Sequence, residues 1–191
     1  MDENMIKEYD ILRNEINQKI ELHNTLLTFT ITTTVAVLAL ALAQKSSILY
    51  LIPFCILIPM SMRIAYYRTA MAKLSAYMIV FLEKNIDGIK WETRNARLIS
   101  VESKKGIRGL RNFTMLRYYE CLILTLVCYA LYFWDYIKDK AISPFVVINT
   151  LWPMLFVVLE VLITKHINSI DKEKAYWVQR WTKLLDKEKC D

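Results

Sequence analysis

Residues Leu26–Ala43 read LLTFTITTTVAVLALALA, an apolar stretch without a charged side chain. This length comes close to the ~20 residues that a helix needs to cross the hydrocarbon core of a bilayer. Three further apolar blocks follow, at Ile48–Met62, Cys121–Trp134 and Pro144–Thr164. The four blocks predict an all-α integral membrane protein with four transmembrane helices.

The composition of the whole chain favours long helices in a membrane. Apolar residues make up 55% of it, and the scarcity of Gly (3 residues) and Pro (4 residues) disfavours a sheet protein with many turns. The second and third blocks are short and reach spanning length only with flanking interfacial residues, such as Tyr118 and Tyr119. The alternative, a soluble protein with four core helices, is disfavoured because the blocks are apolar on every side.

Lysine and arginine are distributed unevenly among the segments outside the blocks. Three precede the first block, twelve lie between the second and third, and seven follow the fourth, whereas the other two connections hold one and two. Because positive residues are retained on the cytoplasmic side, both termini and the long middle segment are predicted to be cytoplasmic. The predicted segments are a cytoplasmic N-terminal helix (1–23), spans one and two (24–65), a basic cytoplasmic helical region (66–117), spans three and four (118–164) and a cytoplasmic C-terminal helix (165–191).

Helical periodicity continues into the cytoplasmic segments. No Gly or Pro interrupts the chain between the N-terminus and the first block, so one helix from about residue 5 to about residue 43 is predicted. Its cytoplasmic part carries an apolar stripe of Ile6, Tyr9, Leu12, Ile16 and Ile20. A second stripe, of Leu74, Met78, Phe81 and Leu82, indicates packing against another cytoplasmic helix, and residues 89–105 show no clear pattern.

No arrangement typical of an enzyme or a metal site is present in the sequence. There is no phosphate-binding glycine loop, no HExxH and no GxSxG. The four cysteines, Cys55, Cys121, Cys128 and Cys190, lack the spacing of metal ligands. We therefore expect no catalytic residues, no metal and no cofactor.

The first block has a face of small residues. Thr25, Thr28, Thr32, Ala36, Ala39 and Ala43 follow one another at steps of three and four. Such a face lets helices approach closely in lipid, which favours packing within the chain or between subunits. In the alternative interpretation, Thr28 and Thr32 face water in a pore.

Polar residues in the third and fourth blocks are further candidates for a pore. Glu120 and Glu160 are predicted at a similar depth near the cytoplasmic side, and Asn149 would share a face with Glu160 on a continuous helix. One interpretation is ion pairing at the interface with Arg63, Arg117 or Lys165. The other is an acidic ring at the inner mouth of a pore, which would select cations.

The basic cytoplasmic region is a candidate site for an anionic ligand. In the alternative interpretation, the positive charge keeps this region on the cytoplasmic side and contacts anionic lipid. The sequence leaves both interpretations open. An oligonucleotide would be held by phosphate contacts with lysine and arginine. The candidate ligand-binding residues are Arg68, Lys73, Lys104, Lys105, Arg108, Arg111 and Arg117.

Three short stretches resemble a known class of protein. They are LRNEI at Leu12–Ile16, KLSAYMIVFLE at Lys73–Glu83 and GIKWE at Gly88–Glu92. Together with four spans and long cytoplasmic helices, they resemble small bacterial membrane effectors of antiphage defence, such as the transmembrane subunits of Hailong systems. The resemblance implies an inner-membrane channel, a DNA oligomer as the ligand that gates it, and a nucleotidyltransferase partner that makes the ligand.

These observations together predict a homo-oligomeric effector that forms a gated ion-permeable pore in the bacterial inner membrane. Four spans leave little room for a pore within one chain, so a shared pore around a symmetry axis is expected. One alternative is a membrane-anchored signalling protein without a pore. Another is a small transporter, for which Pro53, Pro59 and Pro153 are the hints of interrupted helices.

The predicted topology is tested with reporter fusions. Reporters placed after Lys45 and after Lys140 should report the external side, because these connections carry few positive residues. A reporter at Lys104 should report the cytoplasmic side. An external signal at Lys104 would overturn the orientation.

Overall fold

A computed structural model describes the backbone of residues 3–86, 88–105, 119–138 and 144–188, and their side chains except at 99–105, 168 and 170–173. Within these ranges the protein is helical and contains no strand, which confirms the predicted all-α fold. The described ranges contain seven α-helices: α1 (Glu3–Gln44), α2 (Phe54–Tyr77), α3 (Trp91–Lys105), α4 (Glu120–Ile137), α5 (Pro144–Leu151), α6 (Met154–Asn168) and α7 (Ile170–Glu188).

Two short helices of other types flank α2. A 3₁₀-helix at Ser47–Leu51 precedes it, and a π-helix at Met78–Leu82 extends it. The single long helix predicted from the N-terminus through the first block is confirmed as α1, which ends before Lys45, a residue with a positive φ. The unassigned residues 89–105 contain α3.

Among the described residues, four helical segments are long and apolar enough to cross a membrane, as the four blocks predicted. They are Glu3–Gln44, Ser47–Leu82, Glu120–Ile137 and Pro144–Ile167. Large apolar side chains lie exposed on these segments, among them Trp134, Phe145 and Leu155. Such a surface is stable in contact with hydrocarbon rather than with water.

The chain divides into two compact units. The apolar unit comprises Asn24–Ala65 and Leu116–Ile167, and the charged unit comprises Met1–His23, Tyr66–Met115 and Asn168–Asp191. Both α1 and α2 contribute residues to each unit.

The core of the apolar unit is formed by α1, the 3₁₀-helix, α2 and α4. Its buried members are Leu38, Ala41, Tyr50, Phe54, Leu57, Cys128 and Tyr132. The ring of Phe54 stacks on Phe156 of α6 with centroids 5.3 Å apart. These contacts leave the interior of the unit filled by its own side chains.

The core of the charged unit joins α1 to the end of α2. Tyr9 and Ile16 are buried against Met78, Leu82 and Ile86. The predicted stripe is therefore confirmed at these positions of α1. It is wrong at Ile20, which is 44% exposed.

The second predicted stripe also packs as expected. The rings of Tyr77 and Phe81 both meet the edge of Trp181 on α7, at 5.5 and 5.9 Å between centroids. The C-terminal helix is thereby held against the end of α2.

The apolar segment Pro144–Ile167 is interrupted at Trp152 and Pro153, between α5 and α6. Pro153 has no N–H to donate to the carbonyl of Asn149, four residues earlier. The hydroxyl of Tyr132 donates to that carbonyl instead, at 2.9 Å, and the hydroxyl of Tyr129 donates to the carbonyl of Thr150 at 3.3 Å. Helix α4 thus satisfies the carbonyls that the interruption exposes.

Candidate functional site

The small-residue face of α1 is exposed in the chain. Thr28, Thr32, Ala36 and Ala39 are all solvent-accessible or lipid-accessible. The hydroxyls of Thr28 and Thr32 donate to the carbonyls of Asn24 and Thr28, at 3.0 and 2.9 Å. Packing within the chain is therefore the wrong interpretation of this face, whereas a subunit interface and a pore lining both require an exposed face.

The opposite side of α1 is the one that packs inside the apolar unit. Thr30, Thr34, Leu38 and Ala41 are buried there, roughly 180° around the helix from the small-residue face at 100° per residue. The hydroxyl of Thr30 donates to the carbonyl of Leu26 at 2.7 Å. The hydroxyl of Thr34 is buried without a hydrogen-bond partner.

Glu160 lies inside the apolar unit and not at an open surface. Its side chain is fully buried, and Oε1 accepts a hydrogen bond of 2.7 Å from the hydroxyl of Ser61 on α2. Its other oxygen, Oε2, is buried without a partner. Lys165 is exposed and does not pair with it among the described residues, so the predicted ion pair with Lys165 is wrong. Arg117 lies outside the described residues.

The prediction that Asn149 and Glu160 share one face assumed a continuous helix. In the structure Asn149 belongs to α5 and Glu160 to α6, with Pro153 between them. Asn149 is half-buried. The last candidate for the pore mouth, Glu120, begins α4 and is also half-buried.

A second buried carboxylate, which the sequence did not reveal, lies at the start of α3 in the charged unit. Glu83 follows the π-helix and accepts hydrogen bonds from the backbone N–H groups of Glu92 and Thr93, at 2.6 and 2.8 Å. The hydroxyl of Thr93 adds a third, at 2.6 Å. A helix N-terminus leaves its first N–H groups unpaired and carries partial positive charge, so a carboxylate stabilises it. Glu83 therefore caps α3 from the preceding helix.

Glu92, in the first turn of α3, joins three other helices. Its Oε1 accepts from Arg13 of α1 at 2.9 Å, and its Oε2 accepts from Lys174 of α7 at 3.0 Å and from Ser75 of α2. Burial alone would raise the pKa of Glu92, but the Ser75 hydrogen bond and the charges of Lys174 and Arg13 lower it overall. We call Arg13, Ser75, Glu92 and Lys174 the Glu92 network.

Tyrosines around the Glu92 network stay neutral at physiological pH. Burial, followed by the charge of Glu83, raises the pKa of Tyr9. Burial and a 2.7 Å hydrogen bond to Glu8 raise the pKa of Tyr77 to about 12. Among the described residues, the buried acids of this unit are therefore Glu83 and Glu92, and Glu92 is paired with two cations.

The predicted ligand-binding residues are not shown to form a single site. The ammonium of Lys73 lies over the rings of Trp177 and Trp181, at 5.1 and 5.9 Å from their centroids, so it is engaged within the chain. Arg68 is half-buried on α2. Lys104 and Lys105 end α3, but their side chains are not described, and Arg108, Arg111 and Arg117 lie outside the described residues.

Comparisons with known proteins and metal-site geometry add no assignment. No protein-family model, curated protein or solved structure matches the chain. Across the described ranges no group of His, Cys, Asp and Glu is arranged to hold a metal ion. A functional proposal for this chain therefore rests on its sequence and on the geometry of the two units.

Protonation of Glu92 is expected to destabilise the charged unit. The folded-state pKa of Glu92 lies below the ordinary value of 4.5, so its stabilising contribution is complete above that value and is lost as the pH falls through the folded-state pKa. Glu92→Gln should cost about 1–3 kcal/mol at neutral pH, because Arg13 and Lys174 lose their shared partner. It should also flatten the acid dependence of stability.

Thermal unfolding of the full chain in detergent measures both effects, through the fluorescence of Trp177 and Trp181. The matched control is Glu3→Gln, which removes an exposed pair with Lys7 and should leave the unfolding curve unchanged. Equal losses in the two variants would show that the Glu92 network does not stabilise the fold.

Proposed function

We propose that the chain is a homo-oligomeric membrane effector that forms an ion-permeable pore, with both termini in the bacterial cytoplasm. The observation that carries this proposal is the exposed small-residue face of α1. A face of Thr and Ala is compatible with close helix contact in lipid, and two hydroxyls that already bond to backbone carbonyls tolerate an apolar neighbour. In the proposed assembly, the small-residue face contacts α1 of another copy, or it lines water enclosed between copies.

The packing of the apolar unit favours a pathway between copies. Leu38, Phe54, Leu57 and Tyr132 fill the interior of the unit, so a continuous water path through one chain would have to displace them. Pathways shared around a symmetry axis need no such cavity. In this arrangement Thr28 and Thr32 are the hydroxyl-bearing positions nearest to the axis.

Control of the pore is assigned to the charged unit. The net charge of the whole chain is +6, which suits an anionic ligand such as an oligonucleotide. Arg13, Lys73 and Lys174 are engaged by Glu92 or by tryptophan rings. The ligand is proposed to bind the basic residues predicted from the sequence other than Lys73, and a nucleotidyltransferase is the proposed source of it. These residues are Arg68, Lys104, Lys105, Arg108, Arg111 and Arg117.

A small transporter is the second candidate function. The observation that favours it is the interrupted span at Trp152–Pro153, together with the buried carboxyl of Glu160 in the same unit. Interrupted helices and buried ionisable groups are common at substrate and ion sites of transporters. Saturable flux without unitary conductance steps would distinguish a transporter from a pore.

Ala36→Leu tests the proposed interface. Leucine adds bulk at the centre of the small-residue face, so it should weaken the oligomer and reduce the conductance measured per milligram of protein in planar bilayers. The control is Val35→Leu, which adds a methylene at a position that is also exposed but flanks the face. Native mass measurement in detergent reports assembly.

Two results would contradict the proposal. If Ala36→Leu and Val35→Leu assemble and conduct alike, the small-residue face is not the interface. If the wild-type protein conducts under no condition, with or without oligonucleotide, the pore is wrong and a membrane-anchored signalling protein becomes the better account.

Ligand binding is tested separately with a charge reversal. Lys104, Lys105 and Arg108 are replaced together by Glu, and binding of a short DNA oligonucleotide to the solubilised protein is measured over a range of salt. Wild-type affinity should fall steeply as salt rises, because binding releases counterions from the phosphates. The triple variant should lose binding at every salt concentration. Unchanged affinity in the variant would place the ligand elsewhere.

A further inference from the structure

Glu160 has fewer compensating contacts than the other two buried carboxylates of the described chain. Among the described residues it accepts one hydrogen bond, from Ser61, and Oε2 has no hydrogen-bond partner. Glu83 accepts two backbone N–H groups and a hydroxyl. Glu92 in the charged unit, by contrast, is paired with both Arg13 and Lys174. The carboxyls of Glu160 and Glu92 are both almost fully buried. The two sites therefore differ in the presence of cations and not in burial.

The groups around Glu160 do not compensate a negative charge. From α2 comes the neutral hydroxyl of Ser61. From α4 comes the half-buried thiol of Cys121, which is neutral too. Lys165, five residues further along α6, is exposed.

An ionised carboxylate in this position would be costly. Transfer of a charge into a low-dielectric interior costs several kcal/mol unless a cation or several donors compensate it. One hydroxyl donor is insufficient, and a membrane surrounding the unit makes water less accessible still. The neutral acid is the form that this site can accommodate.

Two other buried polar atoms of the apolar unit lack partners. They are the hydroxyls of Thr34 on α1 and Thr125 on α4. Three of its spans thus carry a buried oxygen without a hydrogen-bond partner. Such oxygens are expected where a proton or a water molecule is accepted.

We propose that Glu160 and Ser61 form a proton-binding site inside the apolar unit, with the proton carried on the Glu160 carboxyl. Loss of that proton would leave a charge that only water or a cation stabilises. Deprotonation is therefore coupled to a change in the packing of α2 against α6, the two helices that the Ser61–Glu160 hydrogen bond joins. The site belongs to a single chain and does not depend on the proposed pore.

Dicyclohexylcarbodiimide tests the protonation of Glu160 directly. The O–H of a neutral carboxyl adds across one C=N bond of the reagent to give an O-acylisourea, and acyl transfer to nitrogen then gives a stable N-acylurea. All atoms of the reagent are retained. The wild-type oligomer is treated at neutral pH, and peptides are analysed by mass spectrometry.

A carbodiimide adduct on Glu160 is the expected result. Labelling should fall by about tenfold for each pH unit once the carboxyl ionises, as its protonated fraction does. Glu160→Gln should abolish the adduct. Glu120, a half-buried carboxyl of the same unit, is the matched internal control and should be labelled about tenfold less.

Two results would overturn the proposal. An unlabelled Glu160 in the folded wild-type oligomer would show that the carboxyl is ionised at neutral pH. Protection from labelling by added sodium or potassium ions at constant pH would instead assign the site to a monovalent cation. Because the readout is covalent modification of the wild-type chain, it distinguishes failure of this proposal from failure of the pore, and it does not require that a variant fold.

Discussion

The hydrocarbon core of a bilayer offers no hydrogen-bond partners, and the structure of the apolar unit depends on this constraint. The spanning segments are helical because a helix pairs its own backbone N–H and C=O groups. Each polar group that the helix does not pair needs another hydrogen-bond partner. Thr28, Thr30 and Thr32 meet it by bonding to carbonyls of their own helix. The interruption at Pro153 meets it through the hydroxyl of Tyr132 on a neighbouring helix. Where the constraint is not met, as at Oε2 of Glu160, the exception indicates a function.

Local patterns were sufficient to predict most of the described helices, although not α3. The lengths of the apolar blocks gave the four segments able to span a membrane, and helical spacing gave the packed residues Tyr9, Ile16 and Met78. Spacing is a weaker guide across an interruption of the helix. The common face of Asn149 and Glu160 assumed an unbroken register, although Pro153 already indicated that the register would change.

Contacts between residues distant in sequence could not be predicted in the same way. Ser61 and Glu160 are separated by 99 positions, and no periodicity relates them. The buried positions of Glu83 and Glu92 likewise depend on distant contacts, because both acids lie in a region that is basic in sequence. A lone acid ending the apolar stretch MIVFLE and an acid in the first turn of a helix were the available signals. Both indicate a helix cap or a buried ion pair, but neither identifies Arg13 or Lys174 as the partner.

Two of the buried carboxyls, those of Glu92 and Glu160, show how their surroundings give one residue type different roles. Glu92 receives two cations and a hydroxyl, which favour its charged form, so it acts as a fixed link among α1, α2, α3 and α7. Glu160 receives one hydroxyl and no cation, so its charge would have to be compensated by something outside the described chain. A fixed ion pair stabilises one conformation, whereas a group that exchanges a proton has two states with different packing requirements. Of the two, Glu160 is therefore the residue through which conditions around the membrane would alter the apolar unit.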